Sequence, residues 1–210
     1  SIIIDKENTK KALNALHETF FEENLKDIHI FITGVGNVGG FLIEQISNQK
    51  EFIAKNLKIN LKVLGISNSR KMIISDSEID LNNWSKNLDK SKIIANSSDF
   101  QNRILELNLR NSLFIDNTAS ELIPDTYSEY LNNGIGIITC NKIANSGTLS
   151  NYQNLKTLSR NNNCSFLYET NVGAALPVIS TLNNLINSGD KIVKIEAVLS
   201  GTLNYIFNSF

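Results

Sequence analysis

Three glycines at a fixed spacing constrain this chain more than any other feature. Gly34, Gly36 and Gly39 follow a short apolar run at 28–33 and precede apolar residues at helical spacing. In such a G-x-G-x-x-G turn the first glycine permits the bend, the second leaves room for a pyrophosphate, and the third lets helix and strand pack closely. The motif predicts a dinucleotide-binding turn made of Gly34, Val35, Gly36, Asn37, Val38 and Gly39. A tight turn that binds nothing is the alternative.

Short apolar runs alternate with helical patterns over most of the chain. Five runs predict strands, at 28–33, 61–66, 112–116, 136–140 and 165–169. Helices are predicted at 37–49 and 150–161, and one or two more between 72 and 111. Alternation of this kind indicates an α/β fold built on a Rossmann-type, doubly wound parallel sheet.

The two ends of the chain depart from this pattern. An amphipathic helix is predicted from 8 to 23, and residues 191–199 alternate as a half-buried strand does. We therefore expect three parts. These are the end of a preceding domain with a linker helix at 1–27, a nucleotide-binding domain at 28–168, and the truncated start of an α+β catalytic or dimerisation domain at 169–210.

Charge and composition argue against several classes of partner. The formal net charge is −1, from 20 basic and 21 acidic residues, which favours neither nucleic acid nor an anionic membrane surface. No apolar run approaches the roughly 20 residues that span a bilayer. The two distant cysteines, Cys140 and Cys164, do not suggest a disulfide scaffold. We expect a cytoplasmic protein that binds small molecules.

The end of the second predicted strand bears on cofactor choice. A domain that prefers NAD usually has an Asp or Glu there, which binds the ribose 2′-hydroxyl. Residues 66–71 contain no carboxylate, but they include Ser67, Asn68, Arg70 and Lys71. Hydroxyls and cations accept a 2′-phosphate, and arginine offers a planar fork. NADP is therefore favoured over NAD, unless Arg70 and Lys71 only form a solvated loop.

Three polar clusters follow predicted strands directly, at 116–120, 139–142 and 169–171. Ligands of an open parallel sheet lie beyond the carboxyl ends of its strands. Lys142 is the cation in this region, and it could orient a carboxamide or polarise and protonate a carbonyl oxygen. Each cluster alone is equally compatible with a helix cap. Cys140 is a weak candidate nucleophile, because no histidine accompanies it in these motifs.

The segment 169–177 combines one carboxylate with small residues and a helix start. Main-chain carbonyls in such a segment could bind a hard monovalent cation, with Glu169 as the charged ligand. A plain connection between strand and helix is the alternative.

Five blocks together resemble those of homoserine dehydrogenases, at 34–39, 116–120, 139–142, 168–177 and 199–207. The opening helix resembles the end of the regulatory domain of bifunctional aspartokinase–homoserine dehydrogenases. The resemblance covers nearly the whole chain. It implies NAD(P)H-dependent interconversion of aspartate 4-semialdehyde and homoserine, in threonine and methionine biosynthesis, by a homo-oligomer that is typically dimeric through its second domain.

The same resemblance implies residue roles. The glycine turn, Asn117 and Thr118 would contact the nucleotide, and Lys142 would lie by the nicotinamide and the substrate. The substrate pocket would include Glu169, Gly201 and Thr202. A sodium ion would be bound by Glu169 and by the carbonyls of Val172, Ala174 and Leu176.

Two departures and two alternatives accompany the resemblance. Ala175 stands where the family usually has glycine, and the family's acidic substrate-binding residues and proton-transferring lysine would come after Phe210. We therefore expect these 210 residues to bind NADP without turnover. An aspartate-semialdehyde dehydrogenase would need a cysteine nucleophile with a partnered histidine. A nucleotide-binding regulatory Rossmann module without catalysis is the other alternative.

Overall fold

A six-stranded sheet forms the centre of the computed structural model, which describes residues 3–21, 25–174, 176–198 and 200–209. Its strands are β1 (Lys26–Thr33), β2 (Ile59–Ser67), β3 (Met72–Ile74), β4 (Ser112–Asp116), β5 (Gly136–Thr139) and β6 (Phe166–Leu167). They lie in the order β3-β2-β1-β4-β5-β6, and all neighbours pair in parallel except β2 and β3. The predicted doubly wound sheet is confirmed, and its strand order reverses between β1 and β4.

Helices connect these strands. Those in the described residues are α1 (Thr9–Phe21), α2 (Asn37–Leu57), α3 (Trp84–Lys90), α4 (Ser97–Leu107), α5 (Tyr127–Asn132), α6 (Ile143–Ser146), α7 (Leu149–Asn161), α8 (Val178–Asn187) and α9 (Gly201–Ser209). The stretch 72–111 contains the two expected helices, but also β3, which the sequence did not predict. A strand of three residues is too short to show a period of its own. Within the described part of the chain, no helix combines the length and apolar character needed to cross a membrane.

Two apolar cores cover the two faces of the sheet, as the continuous apolar runs of its strands require. Phe31 and Phe114 face the core formed with α4, α5 and α7. The alternate residues Ile32 and Ile115 face the core formed with α2 and α3. Phe114 stacks on Tyr130 with ring centroids 4.3 Å apart. This packing fixes the strand ends against one another.

The strand predicted at 191–199 is wrong for the described residues 191–198, where no pairing with another strand is found. Alternation is a local property of the sequence, but a strand also needs a partner for its backbone N–H and C=O groups. The described residues do not include Ala175, Leu199 or residues 22–24. The helix predicted at 8–23 therefore ends outside the described residues. The three-part domain division stays a prediction.

Candidate functional site

The last residues of four strands form a row along one edge of the sheet. Thr33 of β1 lies between Ser67 of β2 and Asp116 of β4, and Asp116 in turn pairs with Thr139 of β5. All four are buried. Because these strands are parallel, the turns that follow them leave the sheet on the same side. The structure thus brings the glycine turn and the first two predicted polar clusters together.

Glycine stands at each of the three motif positions for a different physical reason. Gly34 has a φ of +82° and donates its N–H to the Ser67 carbonyl at 2.9 Å. A Cβ on Gly34 would lie 2.8 Å from the Asn117 carbonyl carbon, and one on Gly39 would lie 2.1 Å from the Gly34 oxygen. A Cβ on Gly36 would meet nothing within 4 Å. The fold requires the first and third glycines, whereas the second borders open space.

The N-terminus of α2 opens onto that space. Gly36 occupies the N-cap position without a side-chain cap, and the first turn carries no acidic side chain. The first helical hydrogen bond runs from Gly40 N to Gly36 O at 2.8 Å, so the three preceding amides have no partner within the helix. An open amide cluster beside a glycine that nothing else requires fits a bound phosphate group.

Two cavities lie along the carboxyl edge. One of about 470 Å³ is lined by Gly34, Ser67, Asn68 and Thr118, with Phe100 and Phe114 among its apolar walls. Another of about 600 Å³ is lined by Val38, Asn117, Thr139, Cys140 and Glu169, among others. The side-chain nitrogen of Asn117 is buried and has no hydrogen-bond partner among the described residues. The edge can therefore take an elongated ligand that is apolar in part and supplies an acceptor.

The turn after β2 is organised by Asn68. Its Oδ1 accepts the N–H groups of Arg70 at 2.8 Å and of Lys71 at 2.7 Å. The Lys71 ammonium donates to the Asp89 carbonyl, and a role for Lys71 as a second phosphate ligand stays a prediction. Arg70 is exposed, and within the described part of the chain its guanidinium makes no ion pair or hydrogen bond. Arg70 is the cation that remains for a ligand at this turn.

Asp116 is the most deeply buried polar group of the site, with no exposed surface. Its Oδ1 accepts the Thr118 N–H at 2.7 Å. Its Oδ2 accepts from the Tyr127 hydroxyl at 2.7 Å and from the Asn141 Nδ2 at 3.1 Å. Neither Tyr127 nor Asn141 was predicted as a site residue. Tyr127 belongs to none of the motifs found in the sequence. Asn141 appears there only as a member of the polar cluster at 139–142.

The surroundings of Cys140 do not suit a nucleophile. Burial first, and then the nearby Asp116 carboxylate, raise the pKa of the Cys140 thiol. A raised pKa leaves less thiolate near neutral pH, and the thiolate is the reactive form. The geometry therefore agrees with the interpretation of Cys140 as a weak candidate nucleophile.

Lys142 follows β5 by three residues and precedes the short helix α6. It is exposed and stands at the N-cap position of α6. The preceding residue, Asn141, holds the following one, since its Oδ1 accepts the Ile143 N–H at 3.1 Å. The Lys142 carbonyl accepts the N–H groups of Asn145 and Ser146 at 3.1 and 2.9 Å, so the backbone at this exposed residue is fixed.

Glu169 caps a helix in this structure. Its two carboxylate oxygens accept the N–H groups of Ile179 at 2.9 Å and Ser180 at 2.8 Å, in the first turn of α8. Asn171, in the same 3₁₀ turn, donates to the Thr139 carbonyl at 3.2 Å and accepts from Asn145 Nδ2 at 2.7 Å. These contacts attach the third polar cluster to the second.

The remaining predicted site residues lie in the segments 172–176 and 201–202. Ala174 adopts a left-handed φ of 53°, and the Leu176 carbonyl accepts the Val178 N–H at 2.9 Å. Gly201 and Thr202 begin α9, are exposed, and line neither cavity. Their substrate roles, and the cation-binding role of the 172–176 carbonyls, stay predictions.

Comparison with known proteins gives two family matches. Residues 34–169 match the homoserine dehydrogenase NAD-binding domain, and residues 177–210 match a second model described as homoserine dehydrogenase. The chain is 39% identical over 207 residues to a bifunctional aspartokinase/homoserine dehydrogenase of Buchnera aphidicola, covering 99% of this chain and 25% of that protein. It is 39% identical over 184 residues to a homoserine dehydrogenase of Schizosaccharomyces pombe, covering 87% of this chain and 49% of that protein.

A solved structure shows the same likeness. A hyperthermophilic archaeal homoserine dehydrogenase in complex with NADPH superimposes with a TM-score of 0.59 at 25% identity, covering 77% of this chain and 50% of that one. The chain thus spans about a quarter of the Buchnera relative and about half of the other two.

The motif glycines should respond differently to a methyl group. Gly39→Ala is expected to lower the free energy of unfolding by at least about 2 kcal/mol, because its Cβ would overlap the Gly34 carbonyl oxygen. Gly36→Ala should change that free energy by less than about 1 kcal/mol, because its Cβ enters open space. Urea unfolding followed by circular dichroism measures both. Equal losses in the two variants would contradict this division.

Proposed function

The chain belongs to the homoserine dehydrogenase family, and on that premise we propose that the carboxyl edge of its sheet binds a nicotinamide dinucleotide, with NADP preferred over NAD. The open space at Gly36, beside the uncapped start of α2, carries the proposal. The fold does not require a glycine at position 36, whereas a diphosphate that approaches the backbone at this position does. The NADPH in the archaeal relative supports the choice of nucleotide.

Four groups of this chain would hold the dinucleotide. The α2 amides would donate to the phosphate oxygens, and the partial positive charge of the helix N-terminus adds to that attraction. Thr118 and the unpartnered Asn117 nitrogen would contact the nucleotide where both border the cavities. Arg70, without an ion pair in the described residues, would bind the 2′-phosphate, with Ser67 and Asn68 lining the cavity beside it.

We propose that the full-length protein interconverts homoserine and aspartate 4-semialdehyde, in the synthesis of threonine and methionine. The bound nicotinamide supplies the hydride acceptor or donor. Lys142 would orient the nicotinamide carboxamide or polarise the carbonyl oxygen of the aldehyde, since it is exposed and follows the end of β5 by three residues. Glu169, Gly201 and Thr202 would contribute to the substrate pocket.

A monovalent cation, sodium, is proposed at the 169–176 segment. Glu169 and the carbonyls of Val172, Ala174 and Leu176 are all oxygen donors, the ligand type that hard cations prefer. Each Glu169 oxygen accepts one N–H from α8, and a carboxylate oxygen can take a further contact. The cation would then share this carboxylate with the helix.

We also propose that the full-length protein is a homo-oligomer and is located in the cytoplasm. Large apolar side chains are exposed in the last segment, including Val193 at 96% and Phe207 at 79%. Exposed apolar surface of this kind supports an interface with another subunit. Two free, partly buried thiols agree with a reducing compartment.

Binding of NADPH can be followed through Trp84, the single tryptophan, which lines a cavity of about 560 Å³ together with Gly36 and Asn37. We expect NADPH to quench Trp84 emission in the unsubstituted chain. Gly36→Ala should weaken binding at least about tenfold, because its methyl group would occupy the space of the diphosphate. Gly147→Ala is the control, since Gly147 lines none of these cavities and its Cβ would make only a 3.4 Å contact with the Ile143 carbonyl oxygen. Undiminished binding by the Gly36 variant, measured by calorimetry, would refute the assignment.

The 2′-phosphate assignment has a selective test. Arg70→Ala should weaken NADPH binding about tenfold, the loss of one charge-assisted contact, and leave NADH binding unchanged. Arg103→Ala, a substitution at an exposed arginine beside Glu106, is the control and should change neither. Calorimetric titration of each protein with both nucleotides measures the ratio of affinities. An unchanged ratio in the Arg70 variant would show that the turn does not select the phosphate.

A further inference from the structure

The buried carboxylate of Asp116 connects two parts of the proposed site. Its Oδ1 fixes the backbone of Thr118 through the 2.7 Å contact. Its Oδ2 holds Asn141, the residue before Lys142, and Asn141 Oδ1 accepts the N–H of Ile143, the residue after it. One side chain with no exposed surface thus fastens both the turn after β4 and the turn after β5.

Asn141 makes hydrogen bonds with several residues of this arrangement at once. It is 3% exposed, and its Nδ2 lies 3.1 Å from Asp116 Oδ2, 2.9 Å from the Ser120 carbonyl and 3.4 Å from Thr118 Oγ1. Its own N–H donates to Thr139 Oγ1 at 2.9 Å. Every polar atom of this side chain is thus engaged by a neighbouring turn, which leaves it no contact of its own to offer a ligand.

Tyr127 is the buried phenol that donates a hydrogen bond to the Asp116 carboxylate. Burial first, and then the Asp116 charge, raise the pKa of Tyr127, so the phenol keeps its proton. Its hydroxyl can therefore donate to Asp116, and it also lies 2.8 Å from Thr139 Oγ1. The ring is fully buried between Phe114 and Phe166, with edge contacts at centroid distances of 6.4 and 6.2 Å. The donor is thereby held rigidly against the carboxylate.

We propose that Asp116, Tyr127 and Asn141 form a positioning unit that sets where Thr118 and Lys142 stand beside the cofactor. The inference rests on the proposed nucleotide site. The three side chains touch no ligand, and they act on binding only through the two residues they hold. A buried hydrogen-bonded carboxylate suits this role, because losing one of its donors leaves a buried charge partly unsatisfied and loosens the turns attached to it.

A double-mutant cycle on NADPH affinity tests this role. We expect Asn141→Ala and Lys142→Ala each to weaken NADPH binding about tenfold, and the double variant to lose clearly less than a hundredfold, because part of the Asn141 effect passes through Lys142 and the rest through Thr118. Two residues acting independently would instead multiply to about a hundredfold. Calorimetric titration gives the four affinities, and Asn133→Ala is the control, since the Asn133 side chain is exposed and donates to Glu129, away from Asp116 and Lys142.

A second variant keeps the test decisive if Asn141→Ala does not fold. Tyr127→Phe keeps the ring and removes only the hydroxyl, which contacts neither Thr118 nor Lys142. It should weaken NADPH binding about threefold in the unsubstituted chain and by a smaller factor when combined with Lys142→Ala, where only the part that passes through Thr118 remains. Tyr205→Phe, at a residue that is 72% exposed, is its control.

The outcomes separate the two proposals. Non-additive losses support the positioning unit, and fully additive losses in both cycles overturn it while nucleotide binding stands. An unsubstituted chain that binds no NADPH overturns the proposed function and this inference with it.

Discussion

Asp116 ends the central strand β4 with its carboxylate removed from solvent, and such a group is tolerated only where donors surround it. Here the donors are a backbone amide, a phenol and a side-chain amide, each from a different element. Satisfying this one group therefore fixes three segments at once. The turn after β4, the start of α5 and the turn after β5 are assembled around it, and the proposed ligand contacts Thr118 and Lys142 belong to two of these segments.

The glycine turn contributes to the site in a different way. Gly34 and Gly39 let the chain approach itself, since side chains there would meet the Asn117 backbone and the Gly34 carbonyl. Gly36 instead keeps a space clear in front of the α2 amides. Packing thus explains two glycines of the motif, whereas the third borders the open space in which we propose that a phosphate binds.

Much of this structure could be predicted from the sequence because its signals are local. The strands of the parallel sheet are buried on both faces and appear as uninterrupted apolar runs, and the glycine spacing identifies the turn. Features that depend on distant residues were missed. Tyr127 and Asn141 meet Asp116 across 11 and 25 residues, with no motif to join them. The alternation at 191–199 predicted a strand, but no strand among the described residues pairs with 191–198. The sequence showed the charge of Lys71 but not the hydrogen bond that its ammonium donates to the Asp89 carbonyl.

The most direct test of the account is to map the NADPH contacts on the protein by amide chemical-shift changes in solution. Titration with NADPH should shift the amides of Gly36, Asn37, Val38, Gly39 and Thr118 most strongly, because these groups border the proposed diphosphate and nucleotide positions. Amides of the opposite ends of the strands, such as His29 and Leu113, should change little. Shifts centred away from the carboxyl edge, or none at saturating nucleotide, would contradict the assignment of this edge as the cofactor site.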